Sequence, residues 1–292
     1  DQGVASAMTN TAVRLPAEQY EDIPHTSPSR LKDILTSAKL YEHRRRVKRP
    51  DTDTLRAGRA NHTALLLPDT FPLEYCVWPG VDSAGKKQIR RGEKWDAFVA
   101  ENAGKTTLTE EQNREAWASR DAVRGNREAV AILGEDGKAE LAVTFVDEAT
   151  GIKVKCRLDW LGSAVVDLKG SRDIGEQSVS SYLVKFAYDL QLAAYEAAAK
   201  TLGLGHLPAV IIWHENDAPY DVAVDDVPEE VMAVGRIRYR MALDRLAECE
   251  RTKSWPGRAS GRRTIRLPGW FRIDNLFNNE AEEVYPWDEV TP

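Results

Sequence analysis

A chain of 292 residues, 42% hydrophobic and 29% charged, has an ordinary globular composition and is long enough for one large domain or two small ones. No run of about 18 apolar residues occurs, which excludes a membrane-spanning helix. A net charge of −6 and a pI near 5.6 argue, as a sum, against a nucleic-acid binder.

Residues 1–20 show no clear periodicity and read as a loose arm. Thr26-Ser27-Pro28 reads as a helix start, and Leu31, Ile34, Leu35, Ala38 and Tyr41 follow at helical spacing to the cationic close at Arg44–Arg46. A second helix is expected over 55–67, ended by Pro68; it carries Gly58, Arg59 and His62, the last two nearly one turn apart. Residues 71–78 read as a strand, 85–91 as a basic loop, and 94–102 and 109–133 as helices, the second capped by Thr109 with Glu110 and Glu111 in its first turn. The pattern then turns to strands. Leu141, Val143 and Phe145 share one face and Glu140, Ala142 and Thr144 the other. After a turn at 148–151, Val154, Cys156 and Leu158 alternate with Lys155, Arg157 and Asp159, and a tight turn at Gly162-Ser163 leads into Val165–Lys169. An Ala-rich helix over 178–202, strands at 209–214 and 221–224, an amphipathic helix over 229–252 and a Gly/Pro-punctuated remainder complete the chain. Without a repeat or a low-complexity linker, one mixed α/β domain is expected, a central sheet flanked by helices.

Charge is unevenly spread. Arg30 to Arg59 holds ten Lys/Arg against four Asp/Glu, Arg251 to Arg272 seven against none, and the tail from Asp274 six acids and no base. Either basic patch alone reads as well as solvated surface; together they suit an enzyme that binds phosphates locally. Cys76, Cys156 and Cys249 are too scattered for a disulfide framework, a zinc site or an iron–sulfur cluster. With no signal pattern over Asp1 to Arg14, a cytoplasmic setting is expected.

The candidate chemistry lies at Asp159, Asp167 and Lys169. A period of two puts Asp167 and Lys169 on one face, and Asp159 comes close across the hairpin. Two converging carboxylates repel unless a cation sits between them, and hard ions such as Mg2+ or Mn2+ favour oxygen ligands. The lysine can hold a water or steady a developing negative charge. This is the pattern of a metal-dependent phosphodiesterase. Glu140 adds a third acid on the preceding strand, and His62 stands on an apolar helix that can bring an imidazole near the ion. Gln191 and Tyr195, one turn apart, point the same way and can clamp a phosphate or base. The blander readings are surface carboxylates, a salt bridge at Lys169, a structural histidine and a packing helix with polar tips. An aspartic-protease reading fails because neither aspartate sits in a D-T/S-G turn.

Several of these segments resemble one family. Gly58-Arg59-Ala60-Asn61-His62-Thr63-Ala64-Leu65-Leu66 is similar to the helical histidine motif of RecB-like and RecE-like nucleases. Glu140, Arg157-Leu158-Asp159-Trp160 and Val166-Asp167-Leu168-Lys169 resemble the PD-(D/E)XK core, and Gln191 to Tyr195 its Q-x-x-x-Y helix. The likeness is to the phage RecE-type (exodeoxyribonuclease VIII-like) branch of the PD-(D/E)XK superfamily, and to lambda exonuclease, from about Ser27 to Gly257. It implies a restriction-endonuclease-like core: an arm over 1–25, a nuclease domain over 26–257, and a basic segment with an acidic tail over 258–292. It further implies two Mg2+ (or Mn2+) ions and no iron–sulfur cluster. Asp159, Asp167 and the Leu168 carbonyl would hold the main ion, Glu140 and His62 would complete or shape a second site, and Lys169 would orient or activate the water. Gln191 and Tyr195, with Arg59 and Ser171, would position the DNA. The implied activity is digestion of linear duplex DNA from 5′ ends in phage-type recombination, by a homo-oligomeric ring working with a single-strand annealing protein and no membrane. Gly170 departs from relatives that often carry threonine or serine there, with Ser171 adjacent. The alternatives are an endonuclease of the same fold and a catalytically silent DNA- or partner-binding module. The acidic tail is expected to dock a partner or cover a basic groove of a neighbouring subunit.

Overall fold

The structure, a computed structural model, describes residues 11–47, 51–81, 89–134, 136–259 and 261–268. In chain order it runs β1 (Thr11–Arg14), α1 (Ala17–Asp22), α2 (Pro28–Thr36), α3 (Ala38–Arg46), α4 (Asp53–Leu66), a 3-10 turn (Pro68–Thr70), α5 (Phe71–Glu74), β2 (Tyr75–Trp78), α6 (Glu93–Glu101), β3 (Thr106–Thr109), α7 (Glu110–Gly125) and α8 (Arg127–Leu133). It continues with β4 (Lys138–Val146), β5 (Lys153–Leu161), β6 (Val165–Ser171), α9 (Glu176–Lys185), α10 (Tyr188–Thr201), β7 (Ala209–Glu215), β8 (Val222–Val227) and α11 (Glu229–Thr252). Two units divide the chain, Asp1–Arg258 and Ala259–Pro292, and the described residues of the second contain no helix or strand. Among the described residues no helix is long and apolar enough to cross a membrane.

The main sheet has six strands in the order β1-β4-β5-β6-β7-β8. All neighbours are antiparallel except β6 and β7, whose parallel pairing requires the crossover supplied by α9 and α10. One face packs Leu141, Val143, Val154, Cys156 and Leu158 against Leu31 and Ile34 of α2, Leu190 and Ala193 of α10 and Leu243 of α11. On the other, Val166, Leu168, Val210 and Ile212 meet Leu65 of α4, Val123 of α7 and Leu133 of α8. This is the expected mixed α/β architecture. The alternation read from sequence contributes to it, because β4 and β5 offer an apolar row to the layer of α2, α10 and α11, while Val166, Leu168, Val210 and Ile212 of β6 and β7 face α4, α7 and α8.

The central hairpin opens almost at once. Strands β5 and β6 pair only at Trp160↔Val166 and Leu161↔Val165, around a loop over 162–164. In a continued ladder the next facing pair would be Asp159 and Asp167. The strands part there instead, so two acids and a set of backbone polar groups face a cleft inside the sheet.

Local expectations differ in five places. The N-terminal arm is not loose over 11–22: β1 adds to the edge of β4 by backbone bonds, and Lys155 Nζ donates to the Tyr20 and Glu21 carbonyls at 2.8 and 3.0 Å. A four-residue edge strand held through its backbone leaves little periodicity to read. The helix expected from Pro28 through Arg46 breaks at Ser37, whose hydroxyl accepts from Leu40 N–H, and 109–133 breaks at Asn126, whose side chain accepts from Ala129 N–H. The helix expected over 178–202 begins at Glu176 and breaks at Phe186–Ala187, where Ala187 takes a left-handed φ of 51°. Residues 71–78 are half helix, half strand. Most of the basic loop at 85–91, and the acidic tail, lie outside the described residues.

Helices α10 and α11 come together at Gly235, where an added Cβ would lie 2.3 Å from the Asp189 carbonyl oxygen. Nearby, Arg236 reaches Glu196 through Nε to Oε2 at 2.7 Å and Nη2 to Oε1 at 3.0 Å, and Lys200 Nζ stands 3.2 Å from Oε1. Burial alone would raise the Glu196 pKa, but Arg236 and Lys200 outweigh it and hold it at about 2. A folded pKa below the unfolded one gives stability that is present above the unfolded value and lost as pH falls toward the folded one. Wild type is therefore expected to lose on the order of 2 kcal/mol more than Glu196→Gln between about pH 5 and pH 2, in urea unfolding followed across pH. Parallel stability curves for the two proteins would contradict this.

Candidate active site

Helix α4 begins at Thr52, whose hydroxyl accepts from Leu55 N–H, and lies between two apolar clusters. Ala60 and Ala64 pack toward the small β2–β3 sheet, and Leu65 toward the main sheet. That leaves His62 over β4 and β5, with Nδ1 3.5 Å from Glu140 Oε1 and 3.6 Å from Asp159 Oδ1. Glu140 has a left-handed φ of 50° inside a strand. It interrupts the ladder between Ala139↔Trp160 and Leu141↔Leu158, at the register position facing Asp159. Such a backbone in a non-glycine residue is strained by about 1–3 kcal/mol and re-aims the side chain. Its second oxygen, Oε2, is 2.9 Å from Arg157 Nε.

Asp159 uses both oxygens. Oδ1 faces His62, and Oδ2 accepts from Leu168 N–H at 2.7 Å, so a side chain bridges the opening between β5 and β6. Asp167 is fully buried on β6. Lys169 Nζ lies 2.7 Å from each of its oxygens, and Gln191 Nε2 donates to Oδ1 at 2.9 Å. The same Nε2 is 2.8 Å from the Tyr195 hydroxyl.

The two aspartates are driven apart electrostatically. Burial opposes ionisation of Asp159, but His62, Lys169 and the Leu168 N–H outweigh it and hold the carboxyl well below its usual range. Burial, reinforced by the Asp159 charge, pushes Asp167 up to about 6 against the pull of Lys169. Burial would lower the His62 pKa, yet Asp159 and Glu140 raise it to about 10. Lys169 is likewise raised, because Asp167 and Asp159 overcome its desolvation. Neighbouring carboxylates with divergent pKa values are a mark of acid–base sites.

Of the residues expected from sequence, His62, Glu140 and Asp159 each place one ligand atom within 4.8 Å of the other two. Two carboxylate oxygens and one imidazole nitrogen are a donor set that a divalent metal ion can take. Asp167 stands outside that threesome, in an adjoining group with Lys169, Gln191 and Tyr195. Arg59 turns to Asp51, Nη2 to Oδ1 at 2.8 Å, and Ser171 Oγ accepts from Asp173 N–H at 3.4 Å, so both are held locally. A Cβ at Gly170 would fall 2.5 Å from Asn216 Oδ1 and 2.8 Å from the His214 ring, which accounts for the glycine next to the lysine. Tyr188 and Lys32 have no part in the sequence reading, and Arg157 enters it only within the Arg157–Trp160 segment. Lys32 on α2 reads as one more cation of a basic stretch, and no spacing rule joins it to Lys169.

An antiparallel hairpin that opens around clustered acids, followed by a lysine and a parallel strand, is the core of a PD-(D/E)XK-like domain. A family model described as "PDDEXK-like domain of unknown function (DUF3799)" matches residues 27–268, and the chain belongs to that family. Two solved structures are similar. A candidate exonuclease from Eubacterium rectale is 15% identical with a TM-score of 0.59, the match covering 91% of this chain and 99% of that one. A phage related exonuclease from Haemophilus somnus 129PT is 15% identical with a TM-score of 0.32, covering 79% and 96%. The first shares the fold over nearly the whole chain; the second likeness is too slight to carry an argument. No curated protein matches the sequence.

Proposed function

We propose that this protein is a metal-dependent exonuclease that hydrolyses linear duplex DNA, 5′ to 3′, in phage-type recombination. The observation that carries the reading is the convergence of His62, Glu140 and Asp159 beside the Lys169–Asp167 pair. Family and fold support a nuclease, and the E. rectale structure is itself described as a candidate exonuclease. A divalent ion, when bound, supplies Lewis acidity at the phosphoryl oxygen and makes water more acidic. His62, Glu140 and Asp159 would hold one ion. Asp159, Asp167 and the Leu168 carbonyl, which leaves its strand on the same edge as the N–H bound to Asp159, would hold another.

The other roles belong to the chain's own groups. Lys169 keeps its proton and donates it as a hydrogen bond to the attacking water or to the phosphate. Gln191 and Tyr195 fix Asp167 and line the path of the strand, and Arg59 and Ser171 would position it by exchanging their local partners Asp51 and Asp173 for DNA. The water oxygen bonds to phosphorus and gives up a proton to solvent, the P–O bond to the departing nucleotide breaks, and the leaving oxygen takes up a proton from solvent. We place the protein in the cytoplasm, in keeping with three free cysteines, as a ring-forming homo-oligomer working with a single-strand annealing protein. The domain limits follow the same reading, with the nuclease unit over 26–257 and a separate basic and acidic segment beyond it.

Linear duplex labelled at its 5′ or 3′ ends and covalently closed circular DNA, each incubated with Mg2+, test this. Release of 5′ label first, with the circle intact, is the expected result. Cutting of the circle would make it an endonuclease. No cleavage of either, with Mg2+ or Mn2+, would overturn the nuclease reading.

A further inference from the structure

Lys32 has no part in these roles. It stands half-buried on α2, next to the core residue Leu31. Its Nζ donates to Gln191 Oε1 at 3.1 Å and lies 5.1 Å from the centre of the Tyr188 ring, which Lys169 Nζ also approaches, at 4.7 Å. Among the described residues Lys32 makes no ion pair. The carboxylates whose field it feels are Asp167 and Asp189. Asp167 is held by Lys169 and Gln191, and Asp189 by Arg238 Nη1 at 2.7 and 2.9 Å. Lys169 and Arg238 thus each hold a carboxylate in contact, and among the described residues Lys32 holds none.

A cation withdrawn from water without a counter-ion is unfavourable, and an anion brought from outside restores the balance. Burial, with Lys169 adding to it, lowers the Lys32 pKa to about 8, in keeping with an ammonium that lacks its anion. The position points the same way. Gln191 links Lys32 through its oxygen to Asp167 and Tyr195 through its nitrogen, so Lys32 is the outer end of a hydrogen-bonded row that starts beside the reacting centre.

We infer that Lys32 binds a non-bridging phosphate oxygen of the DNA strand next to the scissile phosphodiester, with Gln191 and the Tyr188 ring holding its ammonium in place. This rests on the nuclease reading above. The test compares wild type, Lys32→Met and Lys32→Arg for KM and kcat on linear duplex with Mg2+, for the salt dependence of duplex binding, and for Tm without DNA. Lys32→Met is expected to raise KM about 10-fold or more with kcat within about 3-fold, and to flatten the slope of log Kd on log salt by about one. Lys32→Arg should recover most of both, and the Tm of Lys32→Met should not fall, since an unbalanced buried charge is removed. If wild type cleaves DNA while Lys32→Met leaves KM and the salt slope unchanged, or loses only kcat or Tm, Lys32 merely props Gln191; the inference fails and the nuclease reading stands. If wild type neither binds nor cleaves DNA, both fail.

Discussion

Lys169→Met is expected to abolish measurable cleavage of linear duplex DNA, with kcat down by at least about 10²- to 10³-fold, the effect of removing one preorganised electrostatic group. Affinity for Mn2+ at the His62–Glu140–Asp159 set should stay within about 3-fold of wild type, because Lys169 is no ligand and sits beside Asp167 rather than between those three. Loss of fold is the competing explanation, and magnitudes argue against it. Breaking a buried ion pair can destabilise by about 3–5 kcal/mol when the remaining charge has no outlet. Asp167 has one: burial already lifts it to about 6, so without the lysine it takes up a proton at neutral pH and keeps the Gln191 hydrogen bond. The variant should therefore unfold within about 2 kcal/mol of wild type. Rates near wild type would remove Lys169 from the mechanism, whereas a collapsed fold would show that the pair is mainly structural.

The hairpin chemistry was legible because a period of two is enough to place Asp167 beside Lys169 and bring Asp159 across from them. What lies between those residues was not. The opening of β5 from β6 after Trp160↔Val166, and the left-handed backbone of Glu140, arise from tertiary packing and from a side chain taking over a strand's hydrogen bond. Two of the helix breaks carried a local signal, since Ser37 and Asn126 are good capping residues standing inside apolar patterns. Ala187 carried none: alanine is the best helix former, and its φ of 51° is imposed by the turn that sets α10 against the site.

Counting cations misleads for a related reason. The basic stretch from Arg30 looks like a phosphate-binding surface, yet Arg44 pairs with Asp33, Arg45 with Glu42 and Glu250, Arg46 with Glu42, and Arg56 and Arg59 with Asp51. The pairing of Arg45 with Glu250 spans 205 residues, which no local count can foresee. Among the described residues of that stretch, Lys32 is a cation that reaches the site, through Gln191, and makes no ion pair.

Asp159→Asn is expected to cancel the stabilisation that divalent ions give the folded protein, and the pattern across neighbouring variants tells which side chains hold the ion. At an ion concentration 100 times Kd, binding stabilises by about 2.7 kcal/mol. For a domain of this size that raises Tm by about 5–10 °C. The asparagine keeps the size of the side chain and an oxygen that can still accept from Leu168 N–H, but removes the charge that both candidate ligand sets share. If affinity falls about 100-fold, the same ion concentration only equals Kd, and the stabilisation shrinks to about 0.4 kcal/mol. Glu140→Gln should remove the share due to the His62–Glu140–Asp159 set and leave the rest. Asp167→Asn should do the converse, because its carboxylate lies outside that threesome. Scanning fluorimetry with Mn2+ and then EDTA reads all three. A full Tm rise retained by Asp159→Asn would mean the ion binds elsewhere. An effect of Glu140→Gln with none from Asp167→Asn would reduce the site to a single ion held by His62, Glu140 and Asp159, leaving Asp167 as the partner that keeps Lys169 charged and in place.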